Sequence, residues 1–257
     1  MKLSIVMPAR NEEGCITTTL ERFSEVLNSR HIDFEIVVVD DGSTDGTAEI
    51  LRSFSQRIPQ IVPVTNTGRH GFGMAIRFGL AQVSGDAVAI VMADGSDSPE
   101  DLLSYFDKLQ EGYDCVFGSR FIRGGRVVDY PRHKLLLNRM ANGFIRILFG
   151  LNFNDITNAF KCYRREVIAG IQPLISPHFN LTVEMPLKAL VRGYSYAVVP
   201  ITWTNRAAGV SKLKIKEMGS RYLFIVLYLW LEKHLSRGDY YRTPVASEEQ
   251  KVPKVNA

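Results

Sequence analysis

The chain has 257 residues, of which 46% are hydrophobic and 23% are charged, and this composition excludes a mostly disordered protein. Its 31 basic and 27 acidic side chains leave a formal net charge of +4, which is too balanced to indicate a nucleic-acid-binding protein. The cysteines, at positions 15, 115 and 162, stand far apart and form no CxxC pair. A disulfide scaffold or a zinc ribbon is therefore not expected, and a reducing compartment is favoured.

The first half of the chain alternates strand-like and helix-like segments. The β-branched run at residues 34–39 is typical of a strand buried on both faces, which indicates a parallel sheet. Asn11 and Ser98 are suitable residues to cap the helices that follow two of the apolar runs. This alternation predicts an α/β domain with a mostly parallel sheet flanked by helices. The predicted strands of this half are residues 3–7, 34–39, 61–65, 87–92 and 115–118.

The second half has a different pattern. Residues 134–149 form a strongly apolar helical segment, and residues 191–200 predict another strand. Residues 206–213 form a basic loop of small side chains, and the polar tail 243–257 is expected to be disordered.

An apolar segment at residues 222–231 would form a helix roughly 15 Å long, about half of a hydrocarbon core, so no membrane span is predicted. Two interpretations remain open. The segment is a buried core or oligomer helix, or it lies in the headgroup region with Tyr222, Tyr228 and Trp230 at the interface and basic residues on anionic lipid. Residues 134–149 allow the same membrane interpretation.

Charged side chains follow three of the predicted strands. Ligands of parallel sheets bind at the carboxyl ends of the strands, so we expect Asp40, Asp41, Asp94, Asp97 and Arg120 to share one edge of the sheet. Paired carboxylates suit a divalent cation such as Mg²⁺, with Asp94 as the main ligand and Asp97 as a helper. The alternative for any single acidic strand end is a plain turn or a helix cap.

Arginine at a strand end indicates phosphate binding, because the guanidinium grips phosphate through two parallel hydrogen bonds. Arg120 precedes further basic residues, so a solvated basic face is the alternative explanation. Arg206 and Lys212 supply a second basic group on the loop near Gly209. The glycine-rich segment 68–73 lacks the spacing of a Walker loop, and no GxGxxG follows the first strand, which disfavours P-loop and NAD-dependent enzymes.

Taken in order, these motifs resemble those of the family 2 glycosyltransferases, which have the Rossmann-like GT-A fold. Within that family the chain is most similar to the dolichol-phosphate mannose synthases and polyprenyl-phosphate glycosyltransferases, over about residues 3–215. The resemblance is carried by residues 5–13 (IVMPARNEE), 39–45 (VDDGSTD), 68–86, 94–100, 118–121 (GSRF), 155–157 (DIT), 163–165 (YRR) and 206–212 (RAAGVSK).

The resemblance implies a catalytic domain over residues 1–215 and a helix over 216–242 that is membrane-interfacial or oligomeric. It implies an inverting transfer of a sugar from a GDP- or UDP-sugar to a polyprenyl or dolichyl phosphate. The expected location is cytoplasmic, with the protein peripheral at the inner face of the membrane, and a homo-oligomer is possible. Alternatives are a family 2 transferase that acts on a glycan or another hydroxyl acceptor, and a catalytically weak nucleotide-sugar-binding protein.

The nucleotide-sugar site is expected, by the same resemblance, to be lined by Pro8, Ala9, Glu12 and one or both of Asp40 and Asp41.

Phosphate contacts are implied for a second group of residues. Arg120 would act in catalysis by contacting phosphate groups, of the donor or of the lipid acceptor, and Lys134 and Asn138 would add contacts to the acceptor phosphate. Arg206 and Lys212 would belong to the loop that closes over the donor diphosphate.

The expected cofactor is Mg²⁺ or Mn²⁺. Asp94 falls at the second acid of the family's Asp-x-Asp, but Met92 stands where the first acid is expected, and Ser96 stands where the synthases carry Gln. Asp97, three residues after Asp94, is the candidate to compensate.

Glu184 lies near the place where other family 2 enzymes carry a catalytic acid. A lipid phosphate is already an anionic nucleophile and needs no strong base, so Glu184 is either a structural hydrogen-bonding residue or, for a neutral hydroxyl acceptor, the catalytic base.

Overall fold

The computed structural model describes residues 1–205 and 215–242. Arg206 and Lys212 and the predicted disordered tail 243–257 lie outside the described residues, so those expectations stay predictions.

A seven-stranded sheet forms the centre of the fold. Its strand order is β3-β2-β1-β4-β7-β5-β8, and all neighbours are parallel except at β7, which runs antiparallel to both β4 and β5. The mostly parallel sheet is thereby confirmed. Its strands are β1 Leu3–Ala9, β2 Phe34–Asp40, β3 Ile61–Thr65, β4 Ala87–Ile90, β5 Cys115–Ser119, β7 Lys161–Arg164 and β8 Tyr196–Pro200. The short strands β6 Arg126–Val128 and β9 Thr202–Thr204 pair separately.

Helices cover both faces of the sheet. On one face, α1 and α4 pack over Ile5 and Ile36, and on the other, α3 and α7 pack over Val6 and Val37. Alternate residues of the same strands point to opposite faces, so β1 and β2 each contribute apolar side chains to two cores. The helices are α1 Ile16–Ser29, α2 Thr47–Arg57, α3 Phe72–Leu80, α4 Pro99–Gln110, α5 Arg132–Phe149, α6 Arg165–Gly170, α7 Leu181–Val191 and α8 Ile215–Leu235.

The start of α4 follows the sequence signal. The Ser98 side chain accepts a hydrogen bond from the Asp101 backbone amide, Pro99 opens the first turn, and Glu100 and Asp101 place negative charge at the positive end of the helix. This cap fixes where the loop after β4 ends, and that loop carries Asp94 and Asp97.

The predicted strand at 191–200 is too long. Val191 still belongs to α7, and Gly193, with φ of 82°, turns the chain before β8 begins at Tyr196.

The segment 222–231 lies within α8, which packs against α7 and α5. One face of α8 enters the core through Ile225, Val226 and Leu229, while Phe224 and Leu231 on another face are 63% and 47% exposed. The helix is therefore buried along one side and open along the other. Among residues 1–205 and 215–242, none of the helices combines the length and apolar character that crossing a bilayer requires.

Candidate functional site

Four strand ends meet at one edge of the sheet. Strands β1, β2, β4 and β5 all point the same way, and Ala9 at the end of β1 lies beside Asp40 at the end of β2. The expected convergence of Asp40, Asp41, Asp94, Asp97 and Arg120 on this edge follows directly from the parallel order. Pro8 and Ala9 line the edge between the two pairs of acids.

Asp41 holds the glycine-rich loop. Its Oδ1 accepts a hydrogen bond from Asn66 Nδ2 at 2.7 Å and lies 3.2 Å from His70 Nδ1, and its Oδ2 accepts from the Gly71 amide at 2.8 Å. Asp41 is only 4% exposed, so its carboxylate is in contact mainly with these protein groups and little with solvent. They explain why an acid stands here independently of any nucleoside.

Asp40 is held less tightly, and this leaves it as the better candidate for a ribose or base contact. Its Oδ1 accepts the Ser43 amide at 2.9 Å, which closes the turn after β2. Gly42 in that turn has φ of 75°, and a Cβ there would lie 2.8 Å from the His70 ring, so only glycine fits. On the facing loop, the Glu12 amide donates to Thr47 Oγ1 at 2.9 Å and places Glu12 at the same edge.

A cavity of about 490 Å³ adjoins the Asn66 end of this region. It is lined by residues 66–69, by α3 and by Gln172 and Leu174, but not by Asp94, Asp97 or Arg120. The shallow sheet edge, rather than this cavity, carries the acids and is the site that the motifs indicate.

Asp94 and Asp97 sit in the tight loop after β4. Asp94 Oδ1 accepts the Ser96 amide at 3.1 Å, and Asp97 Oδ2 accepts the Met92 amide at 2.9 Å. Both residues are buried. Burial raises the pKa of Asp97 to about 7, and the negative charge of Asp94 adds to the effect.

The acidic pair fits a hard divalent cation. The two carboxylates are buried and repel each other, so a cation between them would be stabilising. Their oxygens are ligands of the kind that Mg²⁺ and Mn²⁺ prefer. Within residues 1–205 and 215–242, no cluster of three or more His, Cys, Asp or Glu side chains is close enough to enclose a metal. An ion bound at Asp94 and Asp97 would therefore have at most these two carboxylates as ligands and would take the others from phosphate and water.

Arg120 follows β5 and is bound side-on by Asp155. Its Nε donates to Asp155 Oδ2 at 2.8 Å, and its Nη2 donates to Oδ1 at 2.7 Å. The rings of Phe121, Tyr130 and Trp203 surround the guanidinium, with centroids 5.1, 5.8 and 6.0 Å from Cζ. Trp203 is followed by Thr204, whose amide donates to the Ser96 carbonyl at 3.2 Å, so Arg120 lies near the loop that carries Asp94 and Asp97.

Lys134 and Asn138 lie on the first turns of α5. Asn138 Nδ2 donates to Thr157 Oγ1 at 2.8 Å, and Asn142, one turn later, donates to the same hydroxyl at 2.9 Å. The amide of Asn138 is thereby tied to the loop that also holds Asp155, while Lys134 is half-buried nearby on α5.

Glu184 lies in the first turn of α7. Its carboxylate accepts the amides of Ile175 and Ser176 at 2.8 and 2.7 Å and pairs with Lys188 at 2.7 Å, with no exposed surface. These contacts favour the structural alternative for Glu184 over the catalytic one.

Sequence reasoning gave no role to several residues that shape this site. Asp155 and Thr157 belong to a motif that carried the family resemblance, but nothing in their spacing assigned them to Arg120 or to α5. His70 stands in the glycine-rich segment, where the pattern indicated only a loop. Lys161, at the start of β7, is buried among carbonyls, and burial lowers its pKa to about 7.

The sequence matches a known family profile and several characterised relatives. The profile described as Glycosyl transferase family 2 matches residues 4–171. The polyprenol monophosphomannose synthase of Mycolicibacterium smegmatis is 34% identical over 215 residues, which are 81% of this chain and 80% of that protein. The dolichol-phosphate mannosyltransferase of Pyrococcus furiosus is 32% identical over 220 residues, which are 84% of this chain but only 60% of that protein.

Solved structures confirm the predicted GT-A fold. The crystal structure of a mycobacterial protein aligns with a TM-score of 0.69 at 20% identity, covering 89% of this chain and 74% of the other. Glucosyl-3-phosphoglycerate synthase from Mycobacterium tuberculosis, in complex with Mn²⁺, UDP-glucose and phosphoglyceric acid, aligns with a TM-score of 0.66 at 22% identity, covering 90% and 79%. By its sequence profile and its relatives, the chain belongs to glycosyl transferase family 2.

Proposed function

We propose that this enzyme transfers a sugar from a nucleotide-sugar to a polyprenyl phosphate, with inversion at the anomeric carbon and with Mg²⁺ or Mn²⁺ as cofactor. The observation that carries the proposal is the shared sheet edge: Asp94 and Asp97 follow β4, Arg120 follows β5, and only β7 lies between these two strands. The two relatives named for transfer to polyprenol and dolichol phosphates support the acceptor class.

The reaction needs two anionic reactants side by side. An oxygen of the lipid phosphate attacks the anomeric carbon, the bond from that carbon to the diphosphate breaks, and the nucleoside diphosphate leaves with the electron pair. A divalent cation bound at Asp94 and Asp97 would offset the charge of the leaving group. The residues of the chain hold the two reactants in line, which is where most of the rate enhancement for such a transfer arises.

No protein base is required for this acceptor, and the structure of α7 is consistent with that. Glu184 lies near the position where other family 2 enzymes carry a catalytic acid, but its carboxylate is hydrogen-bonded to two backbone amides and to Lys188. A neutral hydroxyl acceptor would need a protein base, and these contacts leave Glu184 poorly suited to that role.

A lipid acceptor also needs a docking surface, and we propose that α5 and α8 provide it. The two helices are neighbours, since Lys233 of α8 donates to the Phe149 carbonyl of α5 at 2.6 Å. Together they expose a set of large apolar side chains. These are Leu136, Leu137, Met140, Phe144 and Ile147 on α5, and Leu223, Phe224, Leu227, Tyr228, Leu231 and Leu235 on α8.

Basic residues border this apolar surface. Arg132, His133 and Lys134 open α5, and Lys233 and His234 close α8. An apolar strip with a basic border is typical of a protein that lies on an anionic membrane surface, which corresponds to the cytoplasmic face of the membrane.

The test is transfer of a radiolabelled sugar into lipid. GDP- and UDP-sugars are offered with a polyprenyl phosphate and Mg²⁺ or Mn²⁺, and the product is extracted into organic solvent. Label in the organic phase supports the proposal. Label in a water-soluble product identifies a hydroxyl acceptor instead, and tight donor binding without turnover identifies a binding protein. Either of these results overturns the proposal.

A further inference from the structure

We infer that Asp155 is a positioning residue, which fixes the Arg120 guanidinium in the orientation that receives the acceptor phosphate. The inference rests on the proposed function, because it assigns Arg120 to that phosphate.

The pair has the geometry of a built clamp. Asp155 accepts three hydrogen bonds from the same arginine: from the backbone amide at 3.0 Å, from Nε at 2.8 Å and from Nη2 at 2.7 Å. The Asp155 side chain is completely buried and that of Arg120 is 5% exposed. Because backbone and side chain of Arg120 are bound by one carboxylate, the position of the guanidinium relative to the end of β5 is set.

The side-on contact determines which edge of the guanidinium Asp155 occupies. Asp155 binds the edge formed by Nε and Nη2, so the edge formed by Nη1 and the second hydrogen of Nη2 faces away from the carboxylate. The Tyr130 side chain also hydrogen-bonds to this guanidinium, and a phosphate would have to share it with that side chain. Phe121, Tyr130 and Trp203 lie around the guanidinium and restrict its rotation. A planar fork binds phosphate through two hydrogen bonds only when its plane is aligned with the phosphate oxygens.

The loop that carries Asp155 is fixed on both sides, through its neighbours Asn154 and Thr157. On the β5 side, Ser119 Oγ donates to Asn154 Oδ1 at 2.6 Å, and Asn154 Nδ2 donates to the Phe121 carbonyl at 3.2 Å. On the α5 side, the Thr157 amide donates to Asn142 Oδ1 at 3.1 Å. The loop from 154 to 157 therefore joins the arginine to the helix that carries the proposed membrane surface.

This arrangement predicts a specific kinetic effect. Losing the Asp155 carboxylate leaves Arg120 charged but allows its plane to rotate, so the acceptor phosphate meets a misaligned fork. Small misplacements at reacting groups cost up to about 100-fold in rate. Because the inference assigns Arg120 to the acceptor phosphate, the donor KM should be unaffected.

The experiment compares Asp155→Asn with wild type in the lipid-transfer assay. We expect the acceptor KM to rise about 10- to 100-fold while the donor KM stays within about twofold. Asp114→Asn is the matched control. Asp114 precedes the same strand at its other end and likewise accepts a backbone amide and an arginine, from Ser195 at 2.7 Å and Arg242 at 2.6 Å. The control should keep both KM values.

Two further variants keep the inference testable. Asp155→Glu retains the charge but moves the carboxylate by about 1.5 Å, and it serves if Asp155→Asn does not fold. Its acceptor KM should rise as well. The double variant Arg120→Lys with Asp155→Asn should be no worse than Arg120→Lys alone, because Asp155 acts through Arg120.

The inference is overturned if folded Asp155→Asn or Asp155→Glu has the acceptor KM of wild type, or if the effects of the double variant add. If wild type itself gives no lipid-phase product with any donor, the proposed function fails first, and the inference falls with it.

Discussion

The Glu184 carboxylate and the Lys188 ammonium lie 2.7 Å apart on consecutive turns of α7, and neither side chain is exposed to solvent. Glu184 also accepts the amides of Ile175 and Ser176, and Lys188 donates to the Pro173 carbonyl. The pair thus joins α7 to the loop that precedes it.

Replacing Glu184 with Gln should act on stability rather than on the chemical step. The substitution leaves the Lys188 charge buried without its partner, and breaking a buried ion pair from one side costs about 3–5 kcal/mol. We expect urea denaturation to show a loss of this size, while the kcat of the folded enzyme changes only a few-fold.

The double variant Glu184→Gln with Lys188→Met removes both charges and should recover part of the lost stability. A kcat at least about 100-fold lower in Glu184→Gln of wild-type stability would show instead that Glu184 is a catalytic base.

Replacing Asp94 with Asn should abolish metal-dependent activity. We expect kcat to fall at least about 100-fold, because the charge of the departing diphosphate would lose its counterion. Donor binding can be measured as the rise in melting temperature with and without Mg²⁺. In Asp94→Asn, this rise should no longer depend on the metal.

The control for Asp94 is Asp107→Asn, whose side chain is 52% exposed on α4. It should behave as wild type. Full metal-dependent activity in Asp94→Asn would remove the assignment of this loop to the cation.

Acid should lower the free energy of unfolding by protonating Glu35, which lies near the start of strand β2. Burial alone would raise the pKa of Glu35, but hydrogen bonds from Ser4, Ser84 and Lys2 outweigh it and lower the pKa to about 2 from a reference of 4.5. A depressed pKa contributes stability above the unfolded value, and this stability is lost as pH falls from about 4.5 towards 2.

Glu35→Gln should therefore be less stable than wild type by about 2 kcal/mol at neutral pH, and the difference should shrink towards pH 2. Chemical denaturation at a series of pH values measures it. Glu25→Gln, on the exposed face of α1, is the control. A difference that stays constant down to pH 2 would contradict the assignment.

Charge placed in the apolar surface of α5 should weaken membrane binding. Phe144 and Ile147 are 50% and 83% exposed, and changing both to Glu should lower affinity for anionic phospholipid vesicles at least about tenfold. Donor binding should not change.

Val62→Glu, on edge strand β3 and 37% exposed, controls for a general effect of removing apolar surface. Vesicle affinity that is equal in all three proteins would show that α5 does not contact the membrane.

Much of the architecture was predictable because parallel strands buried on both faces give uninterrupted apolar runs. The runs at 36–39 and 87–92 are of this kind, and the turns that follow them carry the acids that mark the site. Strand β7 was not predicted, since its four residues, Lys161–Arg164, include two cations and show no apolar run.

The hydrogen-bond partners of the site residues could not be predicted from the sequence. Asp41 was equivalent to Asp40 as a nucleoside ligand until the contacts to Asn66 and Gly71 distinguished them. The pairing of Arg120 with Asp155 joins residues 35 positions apart, and only the folded chain brings them together. The sequence could not decide between the two interpretations of residues 222–231, because α8 is buried along one side and exposed along the other.

The reversed direction of β7 changes which loops reach the sheet edge that carries the acids. In a uniformly parallel sheet, only segments that leave a strand arrive at the ligand-binding edge, and segments that enter a strand lie at the far end. Because β7 is antiparallel to β4 and β5, the segment that enters it at Lys161 arrives at the ligand-binding edge instead. One inverted strand thus brings an additional loop to this edge, between the turn that carries Asp94 and Asp97 and the end of β5 that carries Arg120.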